Sequence, residues 1–360
     1  MYFWVMLNKK KLIIALSIIP QYFVVKLLAN FPEFIETYYS NGLYQFTSRI
    51  LRYAFGWIPF SIGDILYTIA GIYILRWLVI NRKRLRIDTK NWLIDVFSAV
   101  SIGYFAFHIF WGLNYYRVPV HKSLNIDYKY TTEELVQVTE AFIEKSNSIH
   151  ESITKNDSVK VTIPYSKKEL FDGTINGYKS LGQKHPIFNY KAKSIKQSIY
   201  SLPLTYMGFS GYLNPFTNEA QIDGMIPLYQ YPSTACHEQA HQLGYAAENE
   251  TNFIGYLAAI NNPDVYFKYS GYVSALRQCL NEVYRRDKDT FEILRTKINK
   301  GILLNYQESS DFWNAYENPL EPVFKVVYSN FLKANNQDKG IESYSYAVAL
   351  LVNYFKDNPL

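Results

Sequence analysis

The pattern of apolar and polar positions changes character about a third of the way along the chain. Before Asn114 three runs are mostly apolar: Leu12 to Ala29, Ile62 to Ile80, and Trp92 to Leu113. Each approaches the 20 or so residues that cross a bilayer. After Pro119 the runs shorten. Thr131 and Glu134 are spaced as a capping box, ahead of a helix to about Ile149 with Leu135, Val138, Phe142 and Ile149 near one face. Lys160 to Tyr165 alternates like a short strand, and Glu219 to Ile222 reads as another. Leu213-Asn214-Pro215-Phe216 reads as a turn. From Ser233 the pattern is helical nearly to the end, interrupted at Asn261-Asn262-Pro263, at Asn318-Pro319 and over residues 335–340. The predicted fold is mainly α, with three N-terminal transmembrane helices (about 12–29, 62–80 and 92–113) in a membrane domain, 1–114. An α+β domain, 115–360, follows.

Charge orients the spans. Residues 81–90 carry five Lys/Arg and one Asp, which predicts a cytoplasmic loop, and Lys9–Lys11 agrees. Residues 30–60 hold only Arg49 and Arg52 against Glu33 and Glu36, as expected for the outer side. Three crossings then place everything after Asn114 outside the cytoplasm, with Trp111, Tyr115 and Tyr116 at the outer interface. The first run has a basic start, like a signal peptide. No small-x-small site follows it and Lys26 lies near its end, so it reads as an uncleaved helix. Within the spans, Asp64 and Asp95 read as anchors or structural pairs near the ends, Arg76 as a snorkelling residue, and His108 as a helix-packing residue.

Composition sharpens this picture. Charged residues make up 19% of the 360, below the roughly 25% of soluble chains. The net charge of +6 arises before residue 115, where 12 Lys/Arg face 5 Asp/Glu; the rest holds 25 against 26. The second part therefore has no basic excess for nucleic acid. Cys236 and Cys279 are the only cysteines, so a metal must be held by histidines and carboxylates.

His237-Glu238-Gln239-Ala240-His241 is H-E-x-x-H. On a helix bounded by Pro232-Ser233 and Gly244, His237 and His241 stand one turn apart and can share one Zn2+. Glu238 lies beside them, where it can take a proton from an attacking water. A third ligand is needed, and Ala247 occupies the place where a metzincin has its third histidine. A second helix starting near Glu248 supplies carboxylates instead. Glu248 is the predicted ligand, with Asn252 one turn on as a hydrogen-bond partner for a ligand histidine. Glu250 points about 200° away around the helix and is the alternative.

H-E-x-x-H followed by E-x-x-x-[DN] on the next helix resembles the gluzincin metallopeptidases. The chain more closely resembles an uncharacterised family of bacterial membrane-anchored zincin-like proteins. The residues that carry this are Pro59–Asp64 (PFSIGD), Trp111–Arg117 (WGLNYYR), His237–Phe253 (HEQAHQLGYAAENETNF) and Gly340–Tyr346 (GIESYSY). The resemblance implies a zincin-like outer domain with a zinc site, in a protein of the bacterial inner membrane. Most gluzincins carry Asp where this chain has Asn252, which would raise ligand basicity less.

Three lesser expectations follow. Phe209–Ile222 stands where gluzincins place an edge strand that binds extended peptide. Tyr344 or Tyr346 is a candidate to steady an oxyanion opposite Glu238. His150 and His185 are expected to be exposed, as reserve ligands, and Cys236 to be a core residue. The function expected is a membrane-anchored zinc peptidase acting on peptide or protein substrates outside the cytoplasm. The alternative is a non-catalytic sensor or assembly protein with a structural zinc. Glu238 separates the two, because a structural clamp needs no base and fills its fourth position with protein.

Overall fold

A computed structural model describes residues 2–335 and 344–360, with side chains from 9 to 335 and from 346 to 360. The described residues are mainly helical, with one small sheet. Among them three helices are long and apolar enough to cross a membrane: Lys9–Leu28, Ile62–Ile80 and Thr89–Phe110. The second has the bounds the hydropathy pattern predicts. The third begins and ends three residues early. Polar Thr89-Lys90-Asn91 join its first turn, and Trp111 (φ −153°) breaks it into a 3₁₀ turn over Gly112–Tyr116. The first and third pack through small polar side chains. Ser17 Oγ and Gln21 Nε2 each lie 3.0 Å from Ser101 Oγ, and Ser98 Oγ donates to the Lys11 carbonyl at 2.9 Å. At the opposite end from Trp111, Asp95 pairs with Lys11 (2.6 Å) and Arg84 (3.0 Å), the structural pair expected for it.

The segment between the first two apolar helices is itself helical. A π-helix, Ile35–Leu43, runs into an α-helix, Tyr44–Phe55. Tyr44, Ser48 and Arg52, one turn apart, are buried against the rest of the protein.

The larger core lies in the remainder of the chain, where Thr132–Thr154, Lys167–Lys184, Tyr231–Gln242, Glu248–Ile260, Val265–Arg286 and Tyr344–Asp357 pack together. The Thr131–Glu134 capping box forms as the spacing predicts. Beside these helices lies a mixed sheet of β1 (Ile195–Gln197), β2 (Gly211–Asn214) and β3 (Glu219–Ile222), in the order β1-β3-β2. β3 runs parallel to β1 and antiparallel to β2, with Leu213 opposite Ala220. Lys160–Tyr165, expected as a strand, pairs in no sheet. The Asn305 side chain takes its place, accepting from Val161 N–H (3.1 Å) and donating to the Val161 carbonyl (3.2 Å). Such side-chain pairing satisfies buried backbone as well as a ladder does.

The sheet is joined to the second apolar helix. Glu219 of β3 accepts from Ile62 N–H (3.2 Å) and Gly63 N–H (2.6 Å), a carboxylate at the positive end of a helix. In the same first turn, buried Asp64 accepts from Ser198 Oγ (2.9 Å), Ile199 N–H (2.8 Å) and the Tyr212 hydroxyl. Asp64 is therefore a structural anchor.

Candidate metal centre

The H-E-x-x-H motif lies on the helix Tyr231–Gln242, with Pro232 in its first turn. A proline there loses no intrahelical hydrogen bond. The far end turns at Gly244, φ +89°, a conformation that glycine adopts without strain. The last carbonyls of a helix need partners, and here side chains from distant segments supply them. Tyr44 Oη donates to the carbonyls of His241 and Gln242 (both 3.3 Å), and Gln45 Nε2 to Leu243 (2.9 Å). Arg52 reaches Gln242 (2.6 Å) and Arg117 reaches Gly244 (3.0 Å), so two cations face the negative end of the helix dipole. Arg117 is itself held in a fork by Glu36 (2.6 and 2.9 Å). The helix between the apolar segments thus fixes the end that carries His241. Neither Arg52 nor Arg117 stands out as a site residue in the sequence; their only signal is cationic charge in otherwise apolar surroundings.

The second helix starts at Glu248, as the spacing predicts, and runs to Ile260. It approaches the first helix closely at Gly255, where a Cβ would meet His237 N and Cα at 2.8 Å. That contact seats Glu248, two turns back, against both histidines. Glu248 Oε2 lies 3.3 Å from His237 Nε2, and Oε1 lies 3.5 Å from His241 Nε2. The two rings stand 5.0 Å apart and nearly perpendicular. Among the described residues His237, Glu238 and His241 form a group whose ligand atoms lie within 4.8 Å of one another. Glu248 serves better than Glu238 as the third donor, because its two oxygens face the two Nε2 atoms.

Electrostatics distinguishes the carboxylates. Burial raises the Glu248 pKa, but the two imidazoles beside it outweigh burial and hold the carboxyl well below its ordinary value. Burial lowers the His241 pKa, and the carboxylates of Glu248 and Glu238 with the Tyr245 carbonyl lift it to about 9. Glu248 and His241 favour each other's charged forms. Glu238 is buried with no hydrogen-bond partner at Oε2, and burial raises its pKa while the imidazoles oppose. A buried carboxylate oxygen without a partner is costly in a folded protein.

Other candidates fall elsewhere. The Glu250 carboxylate accepts from Val120 N–H (2.7 Å), away from the histidine pair. Asn252 lines the same cavity as Glu248, but His241 Nδ1 pairs with the Tyr245 carbonyl at 2.8 Å, not with Asn252. That bond leaves Nε2 directed at Glu248. His150 is buried, against expectation, because it lies between the Val159 carbonyl (2.8 Å) and Asn299 (3.2 Å). His185 is half-buried on the Tyr354 hydroxyl (2.8 Å). Cys236 is a core residue as expected, with its thiol pushed up by burial. Tyr346 pairs with His121. Residues 340–343 of the Gly340–Tyr346 stretch, and the Tyr344 side chain, lie outside the described residues. Tyr328, on the helix Glu321–Ala334, does reach the site, and its hydroxyl donates to Glu248 Oε1 at 2.6 Å. With 33 tyrosines in the chain, no sequence signal distinguishes it.

These groups open onto a cavity of about 900 Å³. β2 forms one wall with Gly211, Tyr212 and Leu213, and Tyr328 and Phe331 form another. Across this architecture, a family model described as a protein of unknown function, DUF3810, matches residues 39–352. The chain belongs to that family. The match takes in the Tyr44–Phe55 helix, the second and third apolar helices and both helices of the site. Neither the curated proteins nor the solved structures give a match.

Proposed function

We propose that this chain is a zinc-dependent peptidase of gluzincin type, anchored by three transmembrane helices in the bacterial inner membrane with its site on the extracytoplasmic side. The observation that carries the reading is the joint placement of Glu248 and Glu238. One carboxylate bridges the two Nε2 atoms, and the other, unpartnered at Oε2, faces the same cavity. Two imidazoles and a carboxylate suit zinc and leave a coordination position open, which a structural clamp would close with protein. His237, His241 and Glu248 would hold the metal. When bound, zinc acts as a Lewis acid and lowers the pKa of water. The basic loop at 81–90 supports the orientation.

The chain's own residues then have separate tasks. β2 is the edge of its sheet and lines the cavity, so its free backbone groups can pair with an extended peptide. Burial keeps Glu238 basic enough to take a proton from the attacking water, and its raised pKa lets it pass that proton to the leaving amine. The Tyr245 carbonyl holds His241 in the tautomer with Nε2 toward the metal. Tyr328 orients Glu248 through its hydroxyl.

The test is Glu238→Gln in the full-length chain, assayed on a degenerate peptide library. The variant should keep its zinc and lose about 10²–10⁴-fold in hydrolysis. Undiminished hydrolysis with zinc retained would overturn the assignment of Glu238 as the base.

A further inference from the structure

The cavity does not stand clear of the apolar helices. Trp111, the first residue after the third apolar helix, packs edge-on against His241 with ring centroids 5.8 Å apart. The cavity wall includes Phe107, inside that helix, and Tyr67, five residues into the second. At 1.5 Å per residue, Tyr67 lies about 7 Å below the start of its helix. Phe216 bridges the two helices there, in ring contact with Tyr67 and Phe110 (both 6.4 Å). The floor of the site therefore dips between two membrane-crossing helices.

Two further helices leave apolar faces exposed. On Tyr44–Phe55 the polar stripe is buried, while Phe46, Ile50 and Tyr53, spaced as one helical face, are exposed. This inside-out pattern suits a helix lying in a membrane interface. On Glu321–Ala334, Tyr328 and Leu332 line the cavity whereas Val323, Val326 and Val327 stand exposed, and Phe331 is in ring contact with Phe107 (6.1 Å). That helix closes one side of the cavity and presents an apolar back. The second apolar helix is also bare. Leu66, Ile72, Ile74 and Leu75 point in four directions around it and all are exposed. Beyond its seated end at Gly63 and Asp64, this leaves room beside it for another hydrocarbon segment.

We infer that the cavity takes its substrate from the plane of the membrane: a membrane-anchored protein or lipopeptide, cut close to its anchor, with the anchor lying beside the second apolar helix. This rests on the peptidase reading and names its substrate class. A soluble peptide would have to reach a cleft floored by bilayer, whereas an anchored chain emerging at the interface passes β2 within a few residues.

The experiment uses the full-length, zinc-loaded chain in vesicles of phosphatidylethanolamine and phosphatidylglycerol. The two native cysteines are buried, so single cysteines introduced by Val327→Cys, Ile50→Cys and, on an exposed polar loop, Ser158→Cys can carry a fluorophore. Emission at 327 and 50 should be lost to a lipid-borne quencher and emission at 158 to iodide. Quenching of all three by iodide alone would overturn the membrane-seated cavity.

The substrate class is then read with a degenerate peptide library, either free or tethered to the vesicles by a palmitoyl group. Glu238-dependent cuts should fall within about six residues of the anchor, or about 20 Å of extended chain. Cuts confined to bonds farther out, or free peptide cut as fast as tethered, would overturn the inference and leave a peptidase. Cleavage of neither library would remove the peptidase reading and the substrate class with it, while the quenching still reports the seat of the cavity.

Discussion

Glu248 and Glu250 share the first turn of one helix, Glu250 buried and Glu248 half-buried on the cavity, and the two sides of that helix do opposite things to a carboxyl group. On the Glu248 side two imidazoles face the carboxylate and hold it ionised. On the Glu250 side burial dominates and pushes the carboxyl up to about 7, even with Val120 N–H and Arg117 pulling the other way. The difference shows that burial alone does not set the state of a buried acid. The partners on its face decide it. On the proposed reading one side would hold a cation, while the other fixes the helix to the chain near Val120.

The sharpest break of this comparison is Glu248→Ala. Removing a direct ligand should cost more than the roughly 10–100-fold loss typical of outer partners, so zinc affinity should fall beyond about 10²-fold, read by competition with a metal indicator. Wild-type affinity in this variant would move the third ligand elsewhere.

Glu250→Gln should leave zinc untouched and change the pH dependence of stability instead. A carboxyl raised from 4.5 to about 7 favours the folded state while protonated. Its contribution is whole below about pH 4.5 and is lost as pH rises through about 7, up to about 3 kcal/mol. Denaturant unfolding of wild type should show that decline, and the variant should lack it. An identical slope in both proteins would place the titration on another group.

Gly255→Ala probes how the two faces are held in place. Its Cβ would press on the His237 backbone, so stability should drop by about 1–3 kcal/mol. Zinc affinity should weaken with it, as the helices separate and Glu248 moves off the histidines. A fully stable variant with unchanged affinity would show that the close approach is not needed.

Tyr328→Phe is the smallest change. It removes one hydroxyl from Glu248, for an expected loss of about tenfold in hydrolysis with little loss of zinc. If activity is unaffected while the zinc-bound fold persists, Tyr328 only packs against the site.

Much of the Glu248 side is readable in the sequence, because helical spacing puts His237 and His241 one turn apart and the break at Gly244 restarts a helix at Glu248. The second apolar helix and the Thr131–Glu134 cap are readable for the same reason: each is set by residues close together in the chain. What is not readable depends on contacts across long separations. Arg52 and Arg117 cap the motif helix from 190 and 127 residues away. Tyr328 meets Glu248 across 80 residues, and Asn305 replaces a neighbouring strand for Val161 across 144. Residues 30–60 read as a loop of low charge because Tyr44–Phe55 buries its polar face and exposes its apolar one, the reverse of the soluble pattern.

Zinc per chain in the full-length protein purified in detergent, measured beside its own variants, tests the proposed site most directly. One zinc should be found in wild type and in Glu238→Gln, and none in a folded His241→Ala. Wild type prepared with zinc available yet holding none, or His241→Ala holding as much as wild type, would contradict it.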